Sequence, residues 1–586
     1  MVRKWITLGC LVFAVSAPAA TAVSRVRAVL QSGQTFITWE QGAGEGLRYR
    51  VYRSSTPFRS PEDLTPARLV VEVNDQTSLN LMASIDRLKL SGTRPPAEYE
   101  IPKRVHFVIR DGAAPLGSST GLFVYTAKAN ETAYYAVTAA EKGNELRVLE
   151  DAVTAGIAER VEPPVPVRQN ELDYVHWTDS VGTKYYPAMS SVPGIPYNFR
   201  LRAPAGKGPH PLIGFLHGAF FQYSIAQVGG EAEASSVRIA FDSPVMRGTI
   251  KGLSEEQFSM GGWYGYNENF GTGKPLSEGK VVDYVVRRVL WTLEWAERAF
   301  STDPDRVSLQ GGSMGGIGVV VVGLLHPERF AAVHAFIPPL RMGGMMGNQP
   351  NPMMPIIPAD YVAQHPEKDY PYIMYTAGRT DNIVGWPDKL EFAKALQAVK
   401  AGFTFYWDLR WHDQNYTGKV PESLKEPPVP WGRTPARPQM PVTSFSRKQS
   451  FPAISKLSVD SDPGTVNFAM KPAERPPLET PGAGDLIGTI NGAVAWERDS
   501  ITDTPRRYEI TLRLMPFAGA DNATATITPR RMQQFRPAAG RNCHYRVTDA
   551  GSKKVLLQGE TKPDSSGRVS VEQVPITKTG IRLEVW

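Results

Sequence analysis

Hydrophobic and polar residues alternate with a period of two along the first part of the chain. The alternation is clearest in Phe36–Trp39, Tyr49–Arg53, Tyr135–Thr138 and Val153–Ile157. A period of two is typical of β-strands that bury one face and expose the other. Residues 23–161 are therefore predicted to form a β-sandwich-like domain.

The pattern changes after a proline-rich segment, Glu162–Val167, which predicts a stiff linker over residues 162–173. Beyond it, short apolar runs alternate with amphipathic stretches, the clearest of which is Val281–Phe300. This alternation is typical of a mostly parallel sheet that helices cover on both faces. Residues 174–433 are predicted to be such an α/β domain.

Two further patterns occupy the C-terminal part of the chain. Residues 434–484 are rich in Pro and Ser and lack periodicity, so they are predicted to be an irregular connection. Strand patterns return in segments such as Leu486–Ile490 and Tyr508–Leu514, which predicts a second β-sandwich over residues 485–586. The fold prediction is a multidomain chain in which two β-sandwich-like domains flank the α/β domain.

The N-terminal residues have the pattern of a cleaved signal peptide. Arg3 and Lys4 precede the apolar run Trp5–Ala17, and small residues follow up to Ala22. The run is short for a membrane span, which needs about 20 residues. Residues 1–22 are therefore predicted to direct secretion or periplasmic export, leaving no membrane span after cleavage.

Composition and charge exclude several classes of protein. The chain has 586 residues, too many for a single hydrophobic core. Its net charge is +7, and the basic residues are spread along the chain without a basic run. Nucleic acid is therefore not expected as a partner. The cysteines are Cys10 and Cys543, and cleavage would leave only the second, so an internal disulfide is excluded. With no metal-ligand spacing and no dinucleotide motif, neither a metal nor another cofactor is predicted.

The clearest chemical motif is a G-x-S-x-G pentapeptide in which Gly311 and Gly315 flank Ser313. It lies between Arg306–Gln310, which has the pattern of a buried strand, and Gly316–Leu325, which has that of an apolar helix. A strand–turn–helix exposes the serine hydroxyl and points the helix N-terminus toward it. Ser313 is therefore predicted to be a nucleophile, the alternative being a simple glycine-rich turn.

A serine nucleophile needs a base and an acid that orients the base. Where the serine lies on a strand–turn–helix of a mostly parallel α/β sheet, the acid and then the histidine follow it in the chain. Asp381 follows a predicted strand, whereas its rivals Asp360 and Asp388 lie before that strand and near the start of the next helix. His412 follows the next strand and is the only histidine after Asp381 in the α/β region. The predicted triad is Ser313, Asp381 and His412.

Two backbone amides are the expected donors to a developing oxyanion. The apolar strand Pro211–Leu216 ends in His217 and Gly218, and the glycine permits a bend that turns the amide of Ala219 toward the site. The amide of Met314 would be the second donor. The alternative is that His217 packs structurally and Gly218 only turns the chain.

Residues 174–433 resemble the α/β-hydrolase superfamily, and within it the secreted esterases and the prolyl-oligopeptidase-like branch. The matching segments are His217-Gly218, Asp303–Val307, Gly311–Gly316, Gly378–Asp381 and His412. The resemblance covers under half of the chain and implies acyl transfer, but no particular substrate.

The N-terminal domain resembles a fibronectin type III module. Trp39 lies on an early strand, and the segments Tyr49–Tyr52 and Ala133–Val137 follow. The intervening stretch from about Thr56 to Thr126 is longer than such modules carry, which implies an insertion.

Two groups of side chains are candidates for a substrate pocket. The aromatic group is Trp263, Tyr264 and Tyr266, and the methionine group is Met342, Met345 and Met346. Aromatic rings can stack on a ring of the substrate, and methionine adapts to an apolar acyl group. Core filling or a surface turn would account for either group equally well.

The function prediction is a secreted serine hydrolase that cleaves a carboxylic ester through an acyl-enzyme on Ser313. The expected partner is an ester-bearing small molecule or a substrate linked to polysaccharide. The alternative is a prolyl-oligopeptidase-like peptidase, which the sequence disfavours because the upstream region is too short for a β-propeller. A non-catalytic surface-binding protein is the third hypothesis.

Overall fold

The structure is a computed structural model. It describes residues 21–44, 46–84, 104–219, 221–223, 234–243, 245–247, 258–260, 262–341, 355–412, 440–471, 473–538 and 540–586. The methionine group Met342, Met345 and Met346 therefore lies outside the described residues. So does the predicted signal peptide, apart from its last two residues. Two compact units contain the described residues: one up to 84, with 104–169 and 176–196, and another over 170–175 and from 197 onward.

The strands of the first part of the chain are β1 (Ser24–Gln31), β2 (Gln34–Glu40), β3 (Arg48–Ser54), β4 (Leu69–Asn74), β5 (Thr120–Thr126), β6 (Thr132–Glu141), β7 (Asn144–Leu146), β8 (Ile157–Ala158), β9 (Val167–Arg168), β10 (Asp173–Thr178) and β11 (Ile195–Arg202). Those of the middle part are β12 (His210–Leu216), β13 (Val237–Phe241), β14 (Val245–Arg247), β15 (Phe258–Met260), β16 (Tyr266–Asn267), β17 (Val281–Val282), β18 (Thr302–Gly312), β19 (Ala332–Phe336), β20 (Tyr372–Gly378) and β21 (Phe403–Asp408). Those of the last part are β22 (Phe451–Ser455), β23 (Gly488–Ile490), β24 (Val494–Thr504), β25 (Arg507–Leu514), β26 (Asn522–Arg530), β27 (Cys543–Asp549), β28 (Val555–Thr561), β29 (Val571–Thr577) and β30 (Ile581–Val585).

The helices are α1 (Leu81–Ser84), α2 (Tyr284–Ala299), α3 (Met314–Leu325), α4 (Pro358–Gln364) and α5 (Pro387–Ala398). In the part of the chain that the structure describes, no helix is long and apolar enough to cross a membrane.

The first unit contains two sheets, with strand orders β1-β2-β5 and β4-β3-β6-β7. Side chains from both sheets share one core, in which Trp39 and Phe123 come from the first sheet and Tyr49, Val51 and Tyr135 from the second. The alternating pattern of the sequence produces this arrangement, because every second residue of each strand points into the core.

The main sheet of the second unit contains the strand order β23-β21-β20-β19-β18-β12-β13-β11-β10. Strands β13, β12, β18, β19, β20 and β21 pair in parallel. Strand β11 pairs antiparallel with β13, and β23 pairs antiparallel with β21. Parallel strands bring their carboxyl ends to one edge of the sheet, so the turns after β12, β18, β20 and β21 lie along that edge.

Helices α2 and α3 contact β18, the strand that leads into Ser313. The apolar face of α2 is buried, and α3 is buried along almost its whole length. The helix predicted over residues 281–300 begins later, at Tyr284, because Val281 and Val282 pair with β16 instead.

The other face of the main sheet packs against β structure from the C-terminal part of the same unit. Tyr372 on β20 is buried, and its ring contacts those of Phe445, Phe451 and Trp496, with centroids 4.7, 5.4 and 5.3 Å away. One core joins residues of β12 and β20 to those of the sheets β22-β26-β29 and β24-β25-β30-β27-β28. The prediction that helices cover both faces is corrected here, since β structure covers one of them.

Two C-terminal segments differ from their predicted roles. The stretch over residues 434–484, predicted to be irregular, contains β22, which pairs with β26. The segment Leu486–Ile490, predicted to begin the second sandwich, instead supplies β23, which pairs with β21 in the main sheet. Periodicity marks a strand without identifying its partner, which is why the sequence assigned β23 to the wrong sheet. Strand β22 was missed because it is short and contains Pro452, and a proline within a run argues against a strand.

Candidate active site

Ser313 occupies the sharp turn between β18 and α3. Its backbone has φ 53° and ψ −120°, a left-handed conformation that is strained for a residue with a side chain. The flanking glycines are required by close contacts: a Cβ at Gly315 would lie 1.9 Å from the carbonyl oxygen of Leu216, and one at Gly311 would lie 2.5 Å from that of Gly315. The turn can therefore form only because both positions lack a side chain.

The structure brings Ser313, His412 and Asp381 together in one chain of hydrogen bonds. His412 Nε2 lies 3.0 Å from Ser313 Oγ, and His412 Nδ1 lies 2.8 Å from Asp381 Oδ2. Asp381 is fully buried, and its other oxygen, Oδ1, accepts the backbone N–H groups of Ile383 and Val384 at 3.0 and 3.3 Å. This geometry suits a base that takes the serine proton while the carboxylate holds the imidazole.

The rival acids are placed elsewhere. Asp388 lies 2.9 Å from the ammonium group of Lys389 and accepts the backbone N–H of Arg341 at 3.2 Å. Burial lowers the pKa of Lys389, and the adjacent carboxylate opposes that effect. Asp360 is an exposed residue of α4. Of the three candidate carboxylates, Asp381 is the one hydrogen-bonded to His412.

Replacing Asp381 with asparagine tests this assignment. Asp381→Asn is expected to lower kcat by on the order of 10⁴-fold, because the amide favours the wrong imidazole tautomer. Ester turnover and thermal unfolding of the purified protein should be measured together. Asp360→Asn, at an exposed position of α4, is the matched control and should retain turnover within about tenfold. The opposite ranking of the two variants would contradict the assignment.

The loop after β12 lies beside the nucleophile. A Cβ at Gly218 would lie 3.6 Å from the Cβ of Ser313 and 3.4 Å from the carbonyl oxygen of Gly312. On the other side of the serine, Met314 is the first residue of α3, where backbone N–H groups have no partner within the helix. The amides of Ala219 and Met314 therefore belong to the two segments that flank Ser313.

His217 fixes the orientation of this loop. Its Nε2 accepts the backbone N–H of Ser243 at 2.9 Å and lies 3.3 Å from Asp242 Oδ1. Its Nδ1 donates to the carbonyl oxygen of Gly218 at 2.7 Å. In a trans peptide the C=O and N–H groups point in opposite directions. Holding the Gly218 carbonyl on the His217 side therefore turns the amide of Ala219 away from His217.

Two substitutions of His217 distinguish the role of its hydrogen-bond donor, Nδ1, from that of its acceptor, Nε2. Asn places an amide nitrogen near the position of Nδ1, whereas Gln can place an oxygen near that of Nε2. We expect His217→Gln to lower kcat by up to about 10²-fold with KM little changed, since loss of one oxyanion donor costs about 10²–10³ in kcat. His217→Asn should retain more activity. Steady-state kinetics on a p-nitrophenyl ester measure both, and equal losses in the two variants would contradict this role.

Two of the three aromatic side chains that were candidates for a substrate pocket, Trp263 and Tyr266, are buried. Trp263 has no exposed area; its indole N–H donates to the carbonyl oxygen of His217 at 3.0 Å. Tyr266 is also buried, with its hydroxyl 3.3 Å from that of Tyr197, whereas Tyr264 is partly exposed. The expectation that Trp263 contacts a substrate is corrected: its buried side chain supports the loop after β12.

Sequence reasoning missed two residues that hold the acid in place. The backbone N–H of Arg379 donates to the carbonyl oxygen of Asp408 at 2.7 Å, and the hydroxyl of Thr380 donates to that of Leu409 at 2.8 Å. These bonds join the turn after β20 to the end of β21, which leads to His412. The available signal was an Arg-Thr pair between an apolar strand and the candidate acid.

Within the described ranges, no group of His, Cys, Asp and Glu side chains is arranged to hold a metal ion.

Residues 190–466 match the model of the Esterase family. This stretch is just under half of the chain and contains all three residues of the Ser313–His412–Asp381 arrangement. The match supports an esterase of the α/β-hydrolase type. No curated protein matches the chain.

Several solved structures are similar to part of the chain. An S-formylglutathione hydrolase from Agrobacterium tumefaciens is 20% identical over 42% of this chain and 91% of its own, with a TM-score of 0.31. Fluorophosphonate-binding serine hydrolase F from Staphylococcus aureus is 14% identical over 42% and 92%, with a TM-score of 0.29. Est1E from Butyrivibrio proteoclasticus is 14% identical over 41% and 91%, with a TM-score of 0.27.

Proposed function

We propose that this protein is a serine hydrolase that cleaves a carboxylic ester through an acyl-enzyme on Ser313. The hydrogen-bonded chain Ser313–His412–Asp381 is the single observation that carries the proposal. The Esterase family match supports the choice of an ester as substrate.

The arrangement accounts for each step of acyl transfer. As Ser313 Oγ attacks the ester carbonyl carbon, its proton passes to His412 Nε2, and Asp381 stabilises the resulting imidazolium. The amides of Ala219 and Met314 receive the developing oxyanion. The imidazolium then protonates the departing alcohol, and the same histidine activates the water that hydrolyses the acyl-enzyme.

A fluorophosphonate probe followed by a substrate panel tests the proposal. The probe should label the wild-type protein and fail to label Ser313→Ala. The panel should compare short and long p-nitrophenyl esters, feruloyl and acetyl sugar esters, and proline-containing peptide anilides. The best ester is expected to exceed the best anilide in kcat/KM by far more than the intrinsic lability of esters explains. Labelling of another residue, with Ser313 untouched, would refute the acyl-enzyme.

A prolyl-oligopeptidase-like peptidase is the second candidate. The turn at Ser313 and the triad of Ser313, His412 and Asp381 would serve peptide and ester cleavage equally well. The described part of the upstream unit has one sheet of three strands and one of five. This arrangement is unlike the repeated four-stranded blades of a propeller. A Ser313-dependent preference for a proline anilide would promote this candidate over the esterase. A non-catalytic surface-binding protein would fail both the labelling and the turnover experiments.

We also propose that the protein is exported and that its substrate is an ester on a small molecule or a polysaccharide. The charged start and short apolar run of residues 1–22 support export. The strand orders β1-β2-β5 and β4-β3-β6-β7 support a fibronectin type III-like module in the first unit. Such modules on an exported enzyme fit a polymeric target.

A further inference from the structure

A loop on the C-terminal side of His412 closes on itself in the second unit. We call residues 462–485 the clasp loop; residue 472 lies outside the described residues. At its neck, the backbone N–H of Asp462 donates to a carboxylate oxygen of Asp485 at 2.8 Å, and the N–H of Asp485 donates to the carbonyl oxygen of Asp462 at 2.7 Å. The loop leads directly into β23, which pairs with β21, the strand that precedes His412.

The clasp loop encloses the guanidinium group of Arg379. The group is fully buried and donates to the carbonyl oxygens of Val466, Ala483 and Asp485 at 2.9, 2.6 and 3.2 Å. The ring of Phe468, itself buried, lies 5.0 Å from it. Burial lowers the pKa of Arg379 to about 10. A buried charge is costly unless it is hydrogen-bonded, so the three carbonyl groups, which accept from the two terminal nitrogens, fix this side chain relative to the loop. Its Nε is buried without a hydrogen-bond partner among the described residues.

A second arginine connects the clasp loop to the next residue of the turn. Arg475 donates to the carbonyl oxygens of Phe468 and Met470 within the loop, at 3.0 and 3.3 Å. It also donates to the carbonyl oxygen of Thr380, at 3.0 Å. The loop therefore holds two successive residues, 379 and 380, and Asp381 follows them immediately.

We infer that the clasp loop positions the catalytic acid, with Arg379 and Arg475 as positioning residues. By fixing the two residues before Asp381, the loop sets the 2.8 Å contact between that carboxylate and His412 Nδ1. The inference rests on the function proposed above. It assigns a role in the reaction to a segment that the sequence predicted to be an irregular connection.

Arg475→Met tests the inference, because Arg379→Met removes a fully buried group and would disturb folding. Methionine keeps much of the apolar stem and removes the donors. We expect kcat for a p-nitrophenyl ester to fall by about 10–100-fold with KM within about threefold, since a small misplacement of a catalytic group costs up to about 10²-fold. Arg546→Met is the matched control; Arg546 pairs with Glu584 on the exposed side of β27 and should leave kcat unchanged.

The decisive measurement repeats Arg475→Met in an Asp381→Asn background. A residue that acts only through Asp381 should cost nothing further there, because members of one catalytic unit are not additive. The same fractional loss in both backgrounds would overturn the inference and show a general structural effect. Unchanged kcat in Arg475→Met would also overturn it, while leaving the proposed function intact. The proposed function fails separately, if Ser313→Ala and Asp381→Asn retain turnover.

Discussion

Replacing Ser313 with alanine is expected to lower kcat for the best ester by on the order of 10⁶-fold. The reason is chemical: no other described group occupies the position 3.0 Å from His412 Nε2 where the nucleophile must sit. His412→Ala should cost about as much, and the double variant no more than either single one, because the serine and its base act as a unit. The residual rate, measured with purified protein, reports what the oxyanion donors and binding contribute without the triad.

Ser308→Ala is the matched control for this experiment. Ser308 lies on β18, the strand that leads into Ser313, and its hydroxyl donates to the carbonyl oxygen of Val442 at 3.2 Å. Loss of this hydroxyl therefore affects packing and not the reacting atoms. It should leave kcat unchanged. Additive losses in the Ser313 and His412 variants would contradict a shared catalytic step.

The arrangement of the site was largely predictable because each element carries a local signal. A Gly-flanked serine between a buried strand and an apolar helix specifies the turn, and the parallel sheet brings the ends of β18, β20 and β21 to one edge. Asp381 and His412 each follow one of these strands directly. Their proximity therefore follows from strand order, which the resemblance to α/β-hydrolases implied and apolar periodicity alone would not have given.

Features that depend on distant partners were not predictable. Trp263 and its tyrosine neighbours have a composition that fits a ligand surface, yet the indole N–H donates to the carbonyl of His217, 46 residues away along the chain. Arg379 likewise finds its acceptors at Ala483 and Asp485. No local propensity encodes such pairings, because a buried polar group takes whichever partner the completed fold supplies.

The packing of the C-terminal sheets against the main sheet is the clearest example of a long-range contact. Arg530 and Arg531 at the end of β26 donate to backbone carbonyls of the catalytic region, including those of Lys368 at 3.1 Å and Phe330 at 2.8 Å. Together with the packing of Trp496 on Tyr372, these bonds make the C-terminal sheets part of the same core.

Deleting residues 485–586 is therefore expected to abolish folding of the hydrolase, not merely to remove a binding module. The deletion uncovers an apolar sheet face and leaves buried carbonyl groups without their arginine donors, which a marginally stable protein cannot tolerate. Soluble yield, fluorophosphonate labelling and turnover of a soluble ester should be lost together. A deletion variant that keeps full labelling and turnover would contradict this.

A point substitution tests the contribution of the shared core without deleting residues 485–586. Trp496→Ala should lower the free energy of unfolding by about 3–5 kcal/mol, because it empties a large site in a shared core. Trp586→Ala is the matched control: its side chain is 43% exposed, so a change within about 0.5 kcal/mol is expected. Denaturant unfolding followed in parallel with ester turnover should show one transition for both signals. If turnover instead survives beyond the unfolding of the C-terminal sheets, those sheets are an independent domain, and the catalytic region keeps its fold without them.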